Sequence, residues 1–234
     1  MSQTVTFDMT LSADALALYI SQLVNTHFPD DNVVDPSQIM EHLPSALERL
    51  STCMSGIHRK YFNESNHVRF DHMNSDHMAM FLYLLGNTIW NESGGVAIPT
   101  KLFYLNKVMH AVDLYFSVKM PEVFVLVHPV GSVIGNAHYG NYVAIYQGCT
   151  VGAVDGVYPV FGEGAILFAG ATVLGETVCG DNVVFAARSF VINRRVPADS
   201  VVTGAFPNER ISLSPRTVRE RMFDPLPREE KFPT

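Results

Sequence analysis

At 234 residues, 47% hydrophobic and 17% charged, the chain holds enough apolar material for one or two globular cores, which excludes the disordered and fibrous classes. A formal charge of −7 without a basic cluster argues against nucleic acid as a partner, because phosphate binding needs concentrated Lys and Arg. Cys53, Cys149 and Cys179 are odd in number and far apart, so no disulfide framework is expected and a reducing cytoplasm is the expected setting.

The first thirty residues carry acids at Asp8 and Asp14 and no basic stretch before an apolar run, so no signal peptide is expected there. No uncharged apolar run approaches the roughly 20 residues of a membrane span, and the sequons at Asn63 and Asn91 then read as accidental. Helical spacing governs the chain up to about residue 117. Ser12 caps a helix running through Leu23, with Ala13, Leu16, Ala17, Ile20 and Leu23 on one face. Asp35 and Pro36 open a second, carried by Ile39, Leu43, Leu47 and Leu50, which Pro44 must kink or split. Ser75 to Trp90 and Thr100 to Tyr115 supply two more, joined by the loop from Asn91 to Val96. Met120-Pro121 closes the helical region, and the next architecture opens near Val123. His58, His67, His72 and His77 invite a metal reading, but neither His-Glu-x-x-His nor a Cys/His zinc spacing is present, so they read as ordinary polar positions and no metal is expected.

From Phe161 onward the period changes. Phe161, Leu167, Val173, Cys179, Phe185 and Val191 fall at every sixth position, and the smaller residues Ala165, Ala171, Thr177, Val183 and Ser189 stand four after each of the first five. A helix needs spacing near 3.6 and a simple strand needs 2, so a period of six fits neither. It fits a hexapeptide β-helix, in which three short strands close one triangular coil and equivalent corners stack down the interior. The pattern extends upstream through Ile134 and the stretch Ile145 to Gly152, with slips at Tyr139 and across Ala153 to Pro159 that read as a projecting loop. The expected fold is α+β: a helical amino-terminal domain over 1–117, a left-handed parallel β-helix over 118–206, and an extended tail over 207–234, where five prolines accompany scattered charge.

Val127-His-Pro-Val-Gly-Ser-Val-Ile-Gly135 and Tyr146-Gln-Gly-Cys-Thr-Val-Gly-Ala153 resemble the bacterial serine acetyltransferases and their hexapeptide-repeat relatives. The likeness covers residues 100 to 210. It implies the same two-part layout, homotrimers with a dimer of trimers as higher assembly, and acetyl-CoA as co-substrate. The family reads Asp-His-Ala-Thr-Gly-Ile-Val-Val-Gly where this chain reads Val127 to Gly135, which sets His128 on its catalytic histidine. The chemistry agrees, because acetyl transfer to a hydroxyl needs a group that removes the hydroxyl proton, and imidazole is suited to that at neutral pH. His128 also stands six before Ile134, the phase of a buried inward residue, and phase alone does not decide. A family aspartate fifteen residues before the histidine orients it, and that position is Asp113 here. A rival alignment of Lys107 to Tyr115 with an upstream family helix leaves Glu122 as the partner instead.

By the same resemblance Ala153, Ala169 and Ala187 match the small residues along which the pantetheine arm lies, although corner packing demands small residues too. Arg188, Arg194 and Arg195 are candidates for the cofactor's phosphates. The N–H groups beside Gly152 are candidates for the thioester oxyanion. The acceptor side departs from the pattern. Val127 replaces an aspartate that helps recognise the substrate ammonium, and Asp155-Gly-Val-Tyr-Pro159 stands for a longer family loop, so Asp155 and Tyr158 line the acceptor site without the family's arginine and second histidine. A pocket lacking those charges binds a zwitterion poorly. The tail ends Lys231-Phe-Pro-Thr234, without the terminal isoleucine that docks cysteine synthase. Sugar or amino-sugar acetylation in surface-polysaccharide synthesis, a hexapeptide-fold carbonic anhydrase using His128 and His138, and an inactive trimeric scaffold are the competing readings.

Overall fold

Apolar residues at helical spacing in the first half and at a period of six in the second build two connected bodies. The structure is a computed structural model that describes residues 6–57 and 67–224, so His58, the Asn63 sequon and the last ten residues lie outside it. Helices α1 (Ala13–His27), α2 (Pro36–Met40), α3 (Leu43–Ser55), α4 (Ser75–Ser93) and α5 (Ala97–His110) come first. Ser12 caps α1 by accepting the Ala15 N–H. Asp35 and Gln38 close a reciprocal capping box on α2. Pro44 falls in the first turn of α3, where its missing N–H costs nothing, so the expected long helix is split into two. A parallel pair of strands, Thr6–Met9 and His67–Phe70, adds a small sheet that the spacing did not indicate.

Helix α5 ends five residues before the expected Tyr115. Ala111 turns into the left-handed region, and the next residues are already claimed by the solenoid: the Asp113 N–H donates to the Ser132 carbonyl at 2.9 Å and the Ile134 N–H donates to Asp113 at 2.8 Å.

The second half is a parallel β-solenoid of about four coils with three faces. One face stacks Val133–Ile134, Thr150–Gly152, Thr172–Leu174 and Phe190–Ile192. A second stacks His138–Tyr139, Val160–Phe161, Val178–Cys179 and Arg195–Val196. The third runs Phe124–Val127, Val143–Tyr146, Ala165–Leu167, Val183–Phe185 and Ser200–Thr203. Phe161, Leu167 and Val173 lie on three different faces and pair in register with Cys179, Phe185 and Val191, so the period of six is one step around the triangle. Both columns recognised in the sequence are buried. Tyr139 and Phe161 stack at 5.5 Å between centroids, continuing the interior upstream.

Of the extended tail expected over 207–234, the part up to Asp224 that the structure describes folds back on the solenoid. Arg210–Leu213 runs antiparallel to Ser200–Thr203 and covers the last open strand, and the chain returns so that Phe223 is buried at 5.4 Å from the Tyr142 ring. An uncovered edge would expose unpaired backbone, which is the physical reason for the return.

Helix α4, buried from Asp76 to Ile89, joins the two bodies. The Tyr83 hydroxyl donates to the Val118 carbonyl at 2.7 Å and accepts the Met120 N–H, and the Asn87 amide donates to Phe116 at 2.7 Å. Cys53 lies under the first solenoid strand, donating its thiol to Phe124 at 3.1 Å, and burial pushes that thiol up to about 12. Replacing Phe161 by alanine should cost about 3–5 kcal/mol through lost transfer energy and an unfilled cavity. Denaturant unfolding is the measurement, with Val157→Ala, on an exposed loop, as the near-neutral control.

Candidate functional site

Register places His128. Val127 pairs with Tyr146, nineteen positions on, whereas Val133 pairs with Thr150, seventeen on. The first coil therefore holds two more residues at this corner than the second, and the backbone bond from Gly148 to Val130 shows the ladder resuming just past His128 and Pro129. The pair is expelled from the coil as a bulge, which re-aims a side chain in the way bulges commonly do. His128 takes a left-handed φ of 48° and its side chain is 73% exposed, so the inward phase counted from Ile134 does not apply.

The carboxylate against His128 comes from the helical body. Asp76, in the first turn of α4, accepts the His128 backbone N–H on Oδ1 at 2.9 Å, and the same oxygen lies 3.6 Å from His128 Nδ1. Asn74 holds the helix start by accepting the Asp76 N–H at 3.0 Å. The Asp76 side chain is only 4% exposed, and a buried carboxylate requires such partners. Asp113, which the resemblance would set beside the histidine, instead forms an ion pair with Lys107 at 2.8 Å, with both side chains substantially exposed. Glu122 lines a cavity of about 320 Å³ with Glu48 and Arg49. Asp76 escaped the sequence reading because its partner lies 52 positions away. The available signal was a carboxylate after the capping Asn74, opening an otherwise apolar helix.

His110, at the last turn of α5, is buried and sees the Asp76 charge. Its Nδ1 bonds Asn106 Oδ1 at 2.7 Å, and Asn106 is itself oriented by donating to the Ala79 carbonyl at 2.9 Å. Burial lowers the His110 pKa to about 4, with the Asp76 charge opposing that shift.

The remaining expected site residues divide between two corners. Ala169 and Ala187 occupy successive coils of the corner that His128 heads, linked by the Arg188 N–H donating to Ala169 at 2.9 Å. Arg188 is exposed beside them with φ 60°. Gly152 and Ala153 lie at the next corner. Gly152 is in register with Leu174, and a Cβ there would meet the Leu174 side chain at 3.1 Å. The projecting loop expected from the broken repeat starts here as a two-residue turn: Val154 and Val157 exchange both backbone bonds across Asp155 and Gly156, each at positive φ, in the Asp-Gly hairpin manner. Asp155 is exposed at its tip, and the Tyr158 ring stands over Gly135, where an added Cβ would lie 3.1 Å from it.

Arg194 and Arg195 follow on the same side. Arg194 is engaged within the chain, bonding Glu209 at 2.6 Å and lying 4.8 Å from the Phe206 ring centroid, while Arg195 is exposed. Three of the histidines discounted as ligands bond within the chain: His67 to Asp8, His72 to the Thr10 hydroxyl at 2.7 Å, and His77 Nδ1 accepting from the Asp71 N–H at 3.1 Å. Among the described residues no three His, Cys, Asp or Glu side chains are grouped to hold a metal, and no helix is long and apolar enough to cross a membrane.

No family model matches the chain. A curated serine acetyltransferase of Synechococcus elongatus is 34% identical over 112 residues, covering 46% of each chain. Serine acetyltransferase 2 of Arabidopsis thaliana is 33% identical over 173 residues, covering 72% of this chain and 50% of its own length. The chain thus spans about half the length of these curated relatives. Among solved structures, a serine acetyltransferase in complex with CoA superposes with a TM-score of 0.66 at 22% identity, covering 86% of both chains. The Vibrio cholerae serine acetyltransferase gives 0.66 at 21% identity, covering 87% of this chain and 80% of its own. These structures share the fold of helices followed by a solenoid.

Because the folded state holds His110 neutral against an unfolded pKa near 6.5, acid favours the unfolded chain. The stability this histidine contributes is present above about pH 6.5 and is lost as pH falls toward 4. Denaturant midpoints measured from pH 7 to pH 4 should fall less steeply in His110→Gln than in the wild type.

Proposed function

We propose that this chain, a serine acetyltransferase-like hexapeptide-repeat protein, is an acetyl-CoA-dependent O-acetyltransferase acting on a small hydroxyl acceptor, L-serine or a related compound, with His128 as general base. One observation carries the reading: the histidine that aligns with the family's base is expelled from the coil on a two-residue bulge with a carboxylate behind it. A solved neighbour described as a complex with CoA supports acetyl-CoA as the donor.

The chemistry follows from that placement. With Nδ1 turned toward Asp76, Nε2 takes the hydroxyl proton as the acceptor oxygen attacks the thioester carbonyl carbon. The tetrahedral intermediate places negative charge on the former carbonyl oxygen, for which the N–H groups beside Gly152 are the proposed donors. Collapse breaks the carbon–sulfur bond, and the imidazolium returns its proton to the leaving thiolate. The products are the acetyl ester and CoA.

Homotrimer formation, with a dimer of trimers as the higher assembly, accounts for the division of site residues between two corners. A cleft between neighbouring copies would bring one copy's His128 corner, with Ala169, Ala187 and Arg188, against the other copy's Gly152, Ala153 and Arg195. Arg194 is a weaker phosphate partner because Glu209 already engages it. Asp113 stays a candidate only if Lys107 releases it. The buried free thiols of Cys53, Cys149 and Cys179 support a cytoplasmic setting.

The acceptor wall favours a second substrate class. Val157 and Tyr158 offer no full charge to an ammonium or carboxylate, and Val127 is buried, which supports a sugar or amino-sugar hydroxyl as the alternative acceptor. A thiol-release assay with acetyl-CoA and L-serine, homoserine and amino sugars tests both readings. His128→Ala should lower turnover by about 10²–10⁴-fold while leaving CoA binding in place. Turnover unchanged by the substitution would remove His128 as the base; a wild type that neither turns over nor binds CoA would make the protein a scaffold.

A further inference from the structure

The geometry points to Asp76, on the helical body, as the positioning carboxylate for His128. The kinetic part of this inference rests on the acetyltransferase reading; the geometric part does not. One oxygen, Asp76 Oδ1, receives the His128 backbone N–H at 2.9 Å and faces Nδ1 of the same residue at 3.6 Å. The backbone bond pins the left-handed turn at φ 48°, a conformation that a residue with a Cβ adopts reluctantly. The ring contact sets the tautomer: a carboxylate on the Nδ1 side favours the proton there, leaves Nε2 as the acceptor, and steadies the imidazolium once formed. At 3.6 Å the contact is longer than a hydrogen bond, and such contacts tighten when substrate enters.

The surroundings fit that role. Asn74 fixes the α4 start from which Asp76 projects, and α4 is tied to the first coil by Tyr83, whose ring meets Phe124 at 5.8 Å. His110 on α5 also feels the Asp76 charge; it is neutral near pH 7 and so does not cancel it. His77, next to Asp76 on α4, accepts the Asp71 N–H on Nδ1. Lys107 and Asp113 pair with each other. The ring is thereby faced by a carboxylate of the helical region, while the His128 carbonyl accepts the Val130 N–H at 2.7 Å within the solenoid.

Asp76→Asn separates the two duties, because an amide oxygen still accepts the backbone N–H while the charge is gone. Kinetics with acetyl-CoA and L-serine are read by thiol release. Long-range proton–nitrogen spectra of histidine-labelled protein are read alongside, with the His128 signals assigned by their loss in His128→Ala. The expected result is a kcat lowered by about 10²-fold or more, a KM for acetyl-CoA within about twofold, and a His128 spectrum that loses its Nδ1–H character. Asp76→Ala, which also releases the backbone, should lower kcat further. A ring spectrum unchanged in Asp76→Asn together with kcat within about twofold of wild type overturns the proposal. A wild type inactive toward L-serine whose ring spectrum still changes in Asp76→Asn supports the positioning role and counts against the serine reading alone.

Discussion

In-register stacking of the coils is the constraint from which the rest follows. Each inward corner must lie over its predecessor, because parallel strands share one ladder and the interior is too narrow for a side chain out of phase. Phe161 over Cys179, Leu167 over Phe185 and Val173 over Val191 satisfy this on three faces. A coil with surplus residues cannot compress them into the ladder and must eject them at a corner. The structure does so at His128-Pro129 and at the Asp155-Gly156 hairpin, and both are places where chemistry is proposed. Irregularity in a solenoid is therefore informative in a way that irregularity in a loop-rich fold is not.

The helical body supplies what the solenoid lacks. A stack of flat coils offers backbone and small side chains at its corners, with few deep carboxylates. Helix α4 lies across the first coil and carries a buried acid at its amino end to the ejected histidine. Tyr83, Asn87 and Cys53 bond to backbone at the junction, so the approach is set by directed contacts as well as by apolar packing. Two bodies tied this way cannot slide without breaking buried bonds, and that rigidity fits a contact requiring accuracy of a few tenths of an ångström.

The corner proposed for the acceptor departs most from the repeat. The hairpin tip places Asp155 in solvent and the Tyr158 ring above Gly135, a surface of aromatic and apolar character with one carboxylate at its edge. A ligand bound there would be selected by shape and hydroxyl bonding more than by paired charge. At the His128 corner, Ala169 and Ala187 keep the coil edge low, whatever packing reason first put small residues there.

Periodicity by itself determined the architecture: apolar spacing marked the helices, a period of six marked the solenoid, and Pro44 announced the break between α2 and α3. These signals are local, since each depends on residues within one turn or one coil. His128 was legible as a candidate from its resemblance, yet its exposure was not, because counting six back from Ile134 assumed a coil without surplus residues. Which carboxylate lies nearest the imidazole was not legible for a related reason. Asp113 lies close in sequence but faces Lys107, and Asp76 lies 52 positions away but faces the imidazole. Only the docking of α4 on the first coil decided that pairing, because a contact between distant segments is set by how two finished surfaces pack and leaves no period in the chain.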